Sequence, residues 1–280
     1  MKKLFLLIFA FYLSFFALNF CDARESHCNK QVTPPPKEIE VSEDIPGLYV
    51  FKINTSVLKG EIKPHFVVHL TTNNDVYKET KAKLAVNAGF FDPKNEQTIS
   101  FLTMNGNLCL DPHRNSNLMD NQALKPYMDK ILNRSEFRVL ECNGKIKYDI
   151  APHNQPLEPC CKLKHSVQGG PGLLPQLRLE EEFFILKKDG RIVSQSASSL
   201  KKYARTAIGI KDNNVYIIIA TTKVPMTLEE VSNYAKLLEL EKAMAFDGGG
   251  STSIDYGDIH IVSDKDETAR KLKSFLIVTE

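Results

Sequence analysis

Two kinds of pattern are missing from this chain, and each absence excludes a class of function. Neither sign of charge dominates, because 36 Lys and Arg residues stand against 34 Asp and Glu residues, a formal charge of +2 at pH 7. That balance argues against binding to nucleic acid or to an acidic membrane surface. The HExxH, GxSxG and P-loop lysine patterns are also missing. No pattern in the sequence calls for a metal ion or another cofactor.

Long apolar runs are missing beyond the N-terminus. Residues 1–3 form a basic start and residues 4–20 are almost wholly apolar, which is typical of a secretory signal. Small residues at Cys21 and Ala23 predict a signal peptide over residues 1–23. No later stretch approaches the roughly 20 apolar residues that span a bilayer. We expect a secreted or periplasmic domain, with a membrane attachment only if the N-terminal segment stays uncleaved as an anchor.

The cysteines are few, and their number is odd once the signal is removed. Cleavage after Ala23 would leave Cys28, Cys109, Cys142, Cys160 and Cys161. In an oxidising compartment some of them should pair, and at least one should stay free or pair between chains. The sequence does not determine the pairing. Our prediction is a disulfide between Cys109 and Cys142.

Composition along the chain indicates one domain behind a polar leader. Residues 24–45 are polar with three consecutive prolines, which is typical of an extended leader, and residues 46–280 carry the apolar patterns of a folded domain. Predicted strands outnumber predicted helices, and tight turns join many of them. The fold class that this favours is α+β, with mixed, mostly antiparallel sheets and a few helices in a single domain.

Three local signals are specific enough to test. Thr227 and Glu230 form the capping-box pattern, which predicts a helix running to about Leu240. Apolar spacing over residues 119–132 predicts another helix. The Asn-Gly pair at residues 143–144 lies between two β-rich runs and predicts a hairpin.

The stretch that carries the most chemistry is the glycine turn after residues 243–246. This short apolar strand delivers Asp247 to three consecutive glycines, which suit close backbone approach or a positive φ. A linker or loose turn is the alternative, although the flanks are apolar rather than rich in Ser and Gly. Exposed backbone N–H groups beside a carboxylate would suit a phosphate or sugar hydroxyls. Residues 84–93 repeat this order of strand, glycine and carboxylate, and the carboxylate is Asp92.

Five motifs resemble the phosphodiester glycosidase family, whose type domain is an N-acetylglucosamine-1-phosphodiester alpha-N-acetylglucosaminidase. They are NAGFFD (87–92), GGPGLL (169–174), RTAIGI (205–210), MTLEE (226–230) and DGGGSTS (247–253). Together they span roughly residues 80–280 in family order. The resemblance implies hydrolysis of a sugar 1-phosphodiester, and it is consistent with the α+β fold. The region 111–161 does not align with family features.

The implied reaction assigns roles to three charged residues. Bond breaking at an anomeric carbon builds positive charge on the sugar ring. A carboxylate nearby can stabilise that charge, attack the carbon as a nucleophile, or activate a water molecule. The leaving phosphate monoester has a second pKa of about 6 and needs little protonation, so a fixed cation matters more than a general acid. We predict Asp247 and Asp92 as the carboxylates and Arg205 as the phosphate clamp. Asp92 could instead be a turn residue before Pro93, and Arg205 a surface or ion-pair residue.

The remaining predicted site residues are glycines and polar side chains around these motifs. They are Asn87, Gly89, Gly170, Thr206, Gly248, Gly249, Gly250 and Ser251, taken as substrate-binding residues. Which carboxylate is nucleophile and which is base stays open, as do the stereochemical outcome and the oligomeric state.

The expected partner is a carbohydrate phosphodiester, with cell-surface or exopolysaccharide glycans as the substrate class. Two other hypotheses remain. One is a glycan-binding or polysaccharide-assembly protein on the same fold with little turnover. The other is a phosphoesterase that breaks the phosphorus–oxygen bond on the other side of the phosphate.

Overall fold

A computed structural model describes residues 37–196, 199–263 and 269–280. The predicted signal peptide, and the predicted leader up to residue 36, lie outside the described residues. Within the described ranges, no helix is both long and apolar enough to cross a membrane.

Short strands and four short helices make up the described chain. The strands are β1 (Ile39–Ile45), β2 (Leu48–Ile53), β3 (Ile62–Thr71), β4 (Leu84–Asn87), β5 (Leu102–Met104), β6 (Asn107–Leu110), β7 (Ser135–Cys142), β8 (Lys145–Pro152), β9 (Cys161–Gln168), β10 (Gly172–Leu174), β11 (Ile185–Lys188), β12 (Arg191–Gln195), β13 (Arg205–Lys211), β14 (Asn214–Ala220), β15 (Lys242–Ala245), β16 (Ser253–Tyr256), β17 (Ile259–Val262) and β18 (Leu272–Val278). The helices are α1 (Asn73–Thr80), α2 (Ser116–Met119), α3 (Met128–Leu132) and α4 (Leu228–Leu237).

The strands form three sheets and one separate hairpin. A six-stranded sheet has the order β1-β2-β14-β13-β15-β10, and two five-stranded sheets have the orders β17-β16-β4-β18-β3 and β6-β5-β9-β7-β8. Strands β11 and β12 pair only with each other. Every pairing between described strands is antiparallel. The predicted α+β class with mostly antiparallel sheets is confirmed.

One apolar core joins the three sheets. Fully buried residues such as Phe51, Leu276 and Phe137, one from each sheet, belong to the same cluster. Burying large side chains from all three sheets together stabilises the domain as one unit, at roughly 1.5–3 kcal/mol for each such side chain. The sheets therefore hold one another in place.

Helix α4 covers the outer face of the six-stranded sheet. Its N-cap Thr227 accepts from the Glu230 backbone N–H while the Glu230 carboxylate accepts from the Thr227 N–H, so the predicted capping box is confirmed. Val231 and Ala235 are fully buried against Leu173 and other residues of the sheet. The helix ends at Leu237, three residues before the predicted end.

The predicted continuous helix over residues 119–132 is wrong. The chain forms α2, then a 3-10 turn over Lys125–Tyr127, then α3. Pro126 lies inside this turn. Because proline has no N–H and its ring clashes with the preceding turn of an α-helix, it interrupts the run that apolar spacing alone favours.

Two further segments differ from or refine the sequence expectations. Residues 39–45, assigned to the end of the leader, form β1, which pairs with β2 at the edge of the six-stranded sheet. The side chain of Ile39 is buried in the core, which explains why this polar segment is ordered. The Asn143-Gly144 hairpin is present as predicted, with both residues at positive φ between β7 and β8.

The predicted Cys109–Cys142 disulfide is wrong, because Cys142 is bonded to Cys161. These two residues face each other across β7 and β9, with a Cα–Cα distance of 4.1 Å. Cys109 lies on β6, which β5 and β9 separate from β7. Three strand spacings of about 4.8 Å put it far beyond the reach of a disulfide. Cys109 and Cys160 are free thiols.

Thiol mapping checks this pairing. Alkylation of the native, non-reduced protein should label Cys109 and Cys160, and should label Cys142 and Cys161 only after reduction and unfolding. Peptide mass analysis with two isotopic forms of iodoacetamide separates the two classes. A cross-linked peptide that joins Cys109 to Cys142 or to Cys161 would contradict the pairing.

Candidate active site

The antiparallel register of β13 and β15 brings Arg205 to the turn that holds Asp247. Ala207 pairs with Ala245, so the start of β13 lies beside the end of β15. The ladder continues into the turn, where the Phe246 N–H donates to the Thr206 carbonyl at 2.9 Å. Residues 42 positions apart in sequence therefore meet because one strand begins where its neighbour ends.

Strand β4, from another sheet, ends at the same place. The Asp247 N–H donates to the Ala88 carbonyl at 2.9 Å, just after β4. The Asn87 side chain completes the junction: its Nδ2 donates to the Asp247 carbonyl at 2.6 Å, and its Oδ1 accepts from the Thr206 hydroxyl at 2.7 Å and from the Ser253 N–H at 3.1 Å. Asn87 is buried and its hydrogen bonds fix the turn from beneath.

The third sheet contributes the ends of β9 and β7. After β9, the Gly170 N–H donates to the Ala245 carbonyl at 2.8 Å, and Gly170 adopts a φ of 110°, which favours glycine. Gly89 packs so closely that a Cβ would lie 2.9 Å from the Gln168 carbonyl oxygen. Arg134 immediately precedes β7, the strand that pairs with β9. All three sheets thus end around one point.

A cavity of about 450 Å³ lies at this point. Its lining combines aromatic rings, glycine backbone and charged groups of both signs. The residues include Phe90, Phe91, Arg134, Gly170, Phe184, Ser199, Arg205, Phe246, Asp247, Gly248 and Arg270. Among the described residues, Asp247 is the only carboxylate residue in this lining.

Loss of hydration in the cavity wall raises the pKa of Asp247 from 3.8 to about 6. The Ser251 hydroxyl, the Arg270 charge and the Gly248 N–H each lower it and offset part of that rise. A carboxyl group with a pKa near 6 exchanges its proton close to neutral pH, which suits a general base or a nucleophile.

The Arg205 guanidinium is held by backbone carbonyls of the neighbouring loops. Its Nε donates to the Met226 carbonyl at 2.8 Å and its Nη2 to the Lys201 carbonyl at 2.7 Å. Burial lowers its pKa to about 10, so it stays cationic at neutral pH. Arg205 lines the cavity. It also anchors the loops that contain Lys201 and Met226.

Two further arginines, which sequence reasoning missed, also line the cavity. Arg134 is buried, and its Cζ lies 4.2 Å from the centre of the Phe184 ring and 5.6 Å from that of Phe90. Arg270 is exposed and lies over Phe91 at 5.6 Å. Neither lies in one of the family motifs. Their positions depend on strand register and loop course, for which the sequence contains no local signal.

Asp92 does not line the cavity. Its Oδ1 accepts from the Lys94 N–H at 2.8 Å and its Oδ2 from the Asn117 side chain at 2.9 Å. These bonds lower its pKa, the Asn117 bond most. The structure therefore brings Asp247 and Arg205 together and places Asp92 in a turn just beyond Phe91, where its side chain stabilises the backbone.

The other predicted substrate-binding residues divide between the lining and the layer beneath it. Gly170 and Gly248 line the cavity. Gly249 and Gly250 continue the turn as a 3-10 segment, whose first residue has a φ of 62°. The remaining residues are buried beneath the lining: Asn87, Gly89, Thr206 and Ser251.

The residue groups that could hold a metal lie away from the cavity. Within the described ranges, Glu158, Cys160 and Cys161 have ligand atoms within 4.8 Å of one another. Cys161 is bonded to Cys142 and cannot supply a thiolate in this state.

Removing the Asn87 amide should destabilise the domain. Asn87→Ala leaves the Thr206 hydroxyl and the Ser253 N–H without their buried acceptor and the Asp247 carbonyl without its donor. We expect the free energy of unfolding to fall by about 2–4 kcal/mol. Guanidinium denaturation measures it, with the exposed Asn107→Ala as a control that should stay within about 0.5 kcal/mol of wild type. An Asn87 variant as stable as wild type would show that other contacts hold the turn.

Replacing Asp247 should stabilise the fold at neutral pH. Because the folded-state pKa is raised from 3.8 to about 6, ionisation of Asp247 opposes folding increasingly between these pH values and fully above them. Asp247→Asn removes a penalty of at most about 3 kcal/mol at pH 7.5. The gain should disappear below about pH 3, where the carboxyl is protonated in both states. Denaturation of both proteins at pH 7.5 and at about pH 3 tests this, and an equal difference at both pH values would contradict it.

Comparison with solved structures shows the fold. The zebrafish N-acetylglucosamine-1-phosphodiester alpha-N-acetylglucosaminidase catalytic domain, auto-inhibited by its pro-peptide, matches with a TM-score of 0.60 and 15% identity, covering 86% of this chain and 81% of that one. A hypothetical protein from Synechocystis matches with a TM-score of 0.55 and 14% identity, covering 86% of this chain and 61% of that one. A protein from Burkholderia pseudomallei has a TM-score of 0.50 and 12% identity, with 83% and 74% covered.

Comparison of the sequence adds the family. No curated protein sequence matches the chain. The family model described as phosphodiester glycosidase matches residues 80–279, well over half of the chain, and this range contains all five motifs and the cavity. The chain therefore belongs to the phosphodiester glycosidase family.

Proposed function

We propose that this protein is a glycoside hydrolase that cleaves a sugar 1-phosphodiester at the anomeric carbon, with Asp247 as the acting carboxylate. The observation that carries the proposal is the composition of the cavity. Among the described residues, one carboxyl group, with a pKa of about 6, lines a space that is also lined by Arg134, Arg205 and Arg270. A carboxylate for the sugar and cations for the phosphate are the two components that this reaction needs.

One acting carboxylate is sufficient for this leaving group. A departing phosphate monoester has a second pKa of about 6, so it leaves without a strong general acid. The arginines stabilise the charge that develops on it. Asp247 then acts as a nucleophile or as a base for water on the other side of the anomeric carbon. Asp92, outside the lining, is proposed as a turn residue.

The residues beneath the cavity position Asp247 and do not contact the substrate. Asn87 and Thr206 hold the backbone of Asp247, and Ser251 lowers the pKa of its carboxyl. Gly248 has space for only a small change, since a Cβ would lie 3.1 Å from the Ala204 carbonyl oxygen. The proposed reaction therefore depends on a rigid turn, which satisfies the need for a fixed attacking group.

The proposed compartment is outside the cytoplasm. The Cys142–Cys161 disulfide suits an oxidising compartment, and the apolar N-terminal segment is typical of a secretory signal. A phosphate-linked glycan of the cell surface or an exopolysaccharide is the substrate class proposed for such a location. A glycan-binding role is the second candidate, favoured by the presence of one rather than two carboxylates among the described residues of the lining.

Hydrolysis in oxygen-18 water distinguishes the candidate functions. With a sugar 1-phosphodiester as substrate, the proposal predicts label in the released sugar. Label in the phosphate product would support a phosphoesterase, and the absence of product would support binding alone. Mass spectrometry of both products gives the answer in one experiment.

Substitution of Asp247 tests its role. Asp247→Asn should lower kcat by at least about 10³-fold, whereas the exposed turn variant Asp258→Asn should match wild type. In the wild-type protein, kcat/KM should rise as pH increases through about 6, where Asp247 ionises, and then level off. An Asp247→Asn protein with wild-type turnover would contradict the assignment.

A further inference from the structure

Arg134 is a buried cation that has no anionic partner among the described residues. The residue is 9% exposed, and within the described ranges no carboxylate oxygen lies within 4 Å of its guanidinium nitrogens. Its Nε donates to the Glu182 carbonyl at 3.1 Å, and no acceptor among the described residues bonds to Nη1 or Nη2. Buried charges are ordinarily paired, because removing them from water is costly. An arginine left in this state on a cavity wall is suited to an anion from outside the chain.

Glu182 carries the carboxylate whose charge acts on Arg134. Its Oε2 is buried without a hydrogen-bond partner among the described residues, whereas its Oε1 is engaged by other groups. Glu182 is fully buried, and its Oε1 accepts from the Ser135 hydroxyl, the Gly172 N–H and the Arg178 Nε. Its charge attracts the Arg134 guanidinium without forming an ion pair with it. Burial lowers the pKa of Arg134 to about 10, and the residue remains cationic at neutral pH.

Aromatic rings fix the direction of the Arg134 side chain. The guanidinium lies over Phe184 at 4.2 Å and near Phe90 at 5.6 Å, and the two ring centres are 5.9 Å apart. Contacts of this kind restrict a planar guanidinium while leaving its edge able to donate. Both phenylalanines line the same cavity as Arg134 and Asp247. Arg134 therefore lines the cavity with two terminal nitrogens that have no acceptor among the described residues.

The other two arginines are less suited to a strong phosphate contact. Arg205 uses Nε and Nη2 for the carbonyls of Met226 and Lys201. Arg270 is exposed, so water and salt screen its charge. On this basis the role of principal phosphate clamp, predicted for Arg205, moves to a residue outside the family motifs.

We propose that Arg134 binds the non-bridging oxygens of the substrate phosphate through Nη1 and Nη2, and that Arg205 mainly positions the loops beside Asp247. This inference rests on the proposed function, since it names the phosphate subsite of the same cavity. A dianionic phosphate should bind there more tightly than a monoanionic diester, because a buried cation gains more from the larger charge. The released phosphate monoester should therefore inhibit the enzyme.

The experiment measures binding and turnover in the same set of variants. Inorganic phosphate is titrated at pH 7.5 into wild type, Arg134→Met, Arg134→Lys and Arg114→Met by calorimetry, and hydrolysis of a sugar 1-phosphodiester is followed in parallel. Arg114 is an exposed arginine on the 3-10 turn Pro112–Arg114 and serves as the matched control. Thermal unfolding of each variant reports whether the fold is intact.

The expected pattern has three parts. Arg134→Met should weaken phosphate binding at least tenfold and lower kcat/KM at least tenfold, without lowering the unfolding temperature, because it removes an unpaired buried charge. Arg134→Lys, which keeps the charge and loses the fork, should weaken phosphate binding at least threefold. Arg114→Met should stay within twofold of wild type.

The outcomes separate this inference from the proposed function. Phosphate affinity within twofold of wild type in folded Arg134→Met overturns the Arg134 assignment, even when wild type hydrolyses the diester. If Arg134→Met does not fold, unchanged affinity in Arg134→Lys overturns it instead. Phosphate binding that depends on Arg134 in a wild-type protein without turnover supports the anion subsite and rejects the hydrolase proposal.

Discussion

The arrangement of the site depends on one buried side chain, the Asn87 amide. It joins the end of β4 in one sheet to the turn after β15 in another, by donating to the Asp247 carbonyl and accepting from Thr206 and Ser253. A buried amide with both ends bonded permits only one relative placement of these chain segments. The Asp247 carboxylate is therefore positioned by the packing of two sheets and not by its own loop alone.

The electrostatics of the cavity follow from the same placement. Loss of hydration favours the neutral form of Asp247, and the nearby cation and hydrogen bonds favour the charged form. The balance leaves the group able to gain or lose a proton near neutral pH. The same burial leaves Arg134 charged without an ion pair among the described residues. Each of these charges is less favourable to the folded state than a neutral side chain would be, and buried ionisable groups of this kind are typical of functional sites.

Prediction from sequence succeeded where the signal is local. The capping box at Thr227 and the Asn143-Gly144 hairpin depend on residues within a few positions, and both are present. The helix over residues 119–132 failed because Pro126 outweighs apolar spacing. The disulfide failed for a different reason: Cys109 and Cys142 lie on the same sheet, but strand order separates them. No local pattern reports strand order.

For the site, the sequence alone determined the family motifs and therefore the residue types: a carboxylate before three glycines at Asp247, and an arginine at the start of β13. Both line the cavity. Only the tertiary structure decided that Asp92 lies in a turn outside the cavity lining and that Arg134 lies within that lining. The physical reason is that antiparallel register between strands distant in the chain, together with the shared core, sets which ends meet. Which strand ends lie together then decides which side chains line the cavity.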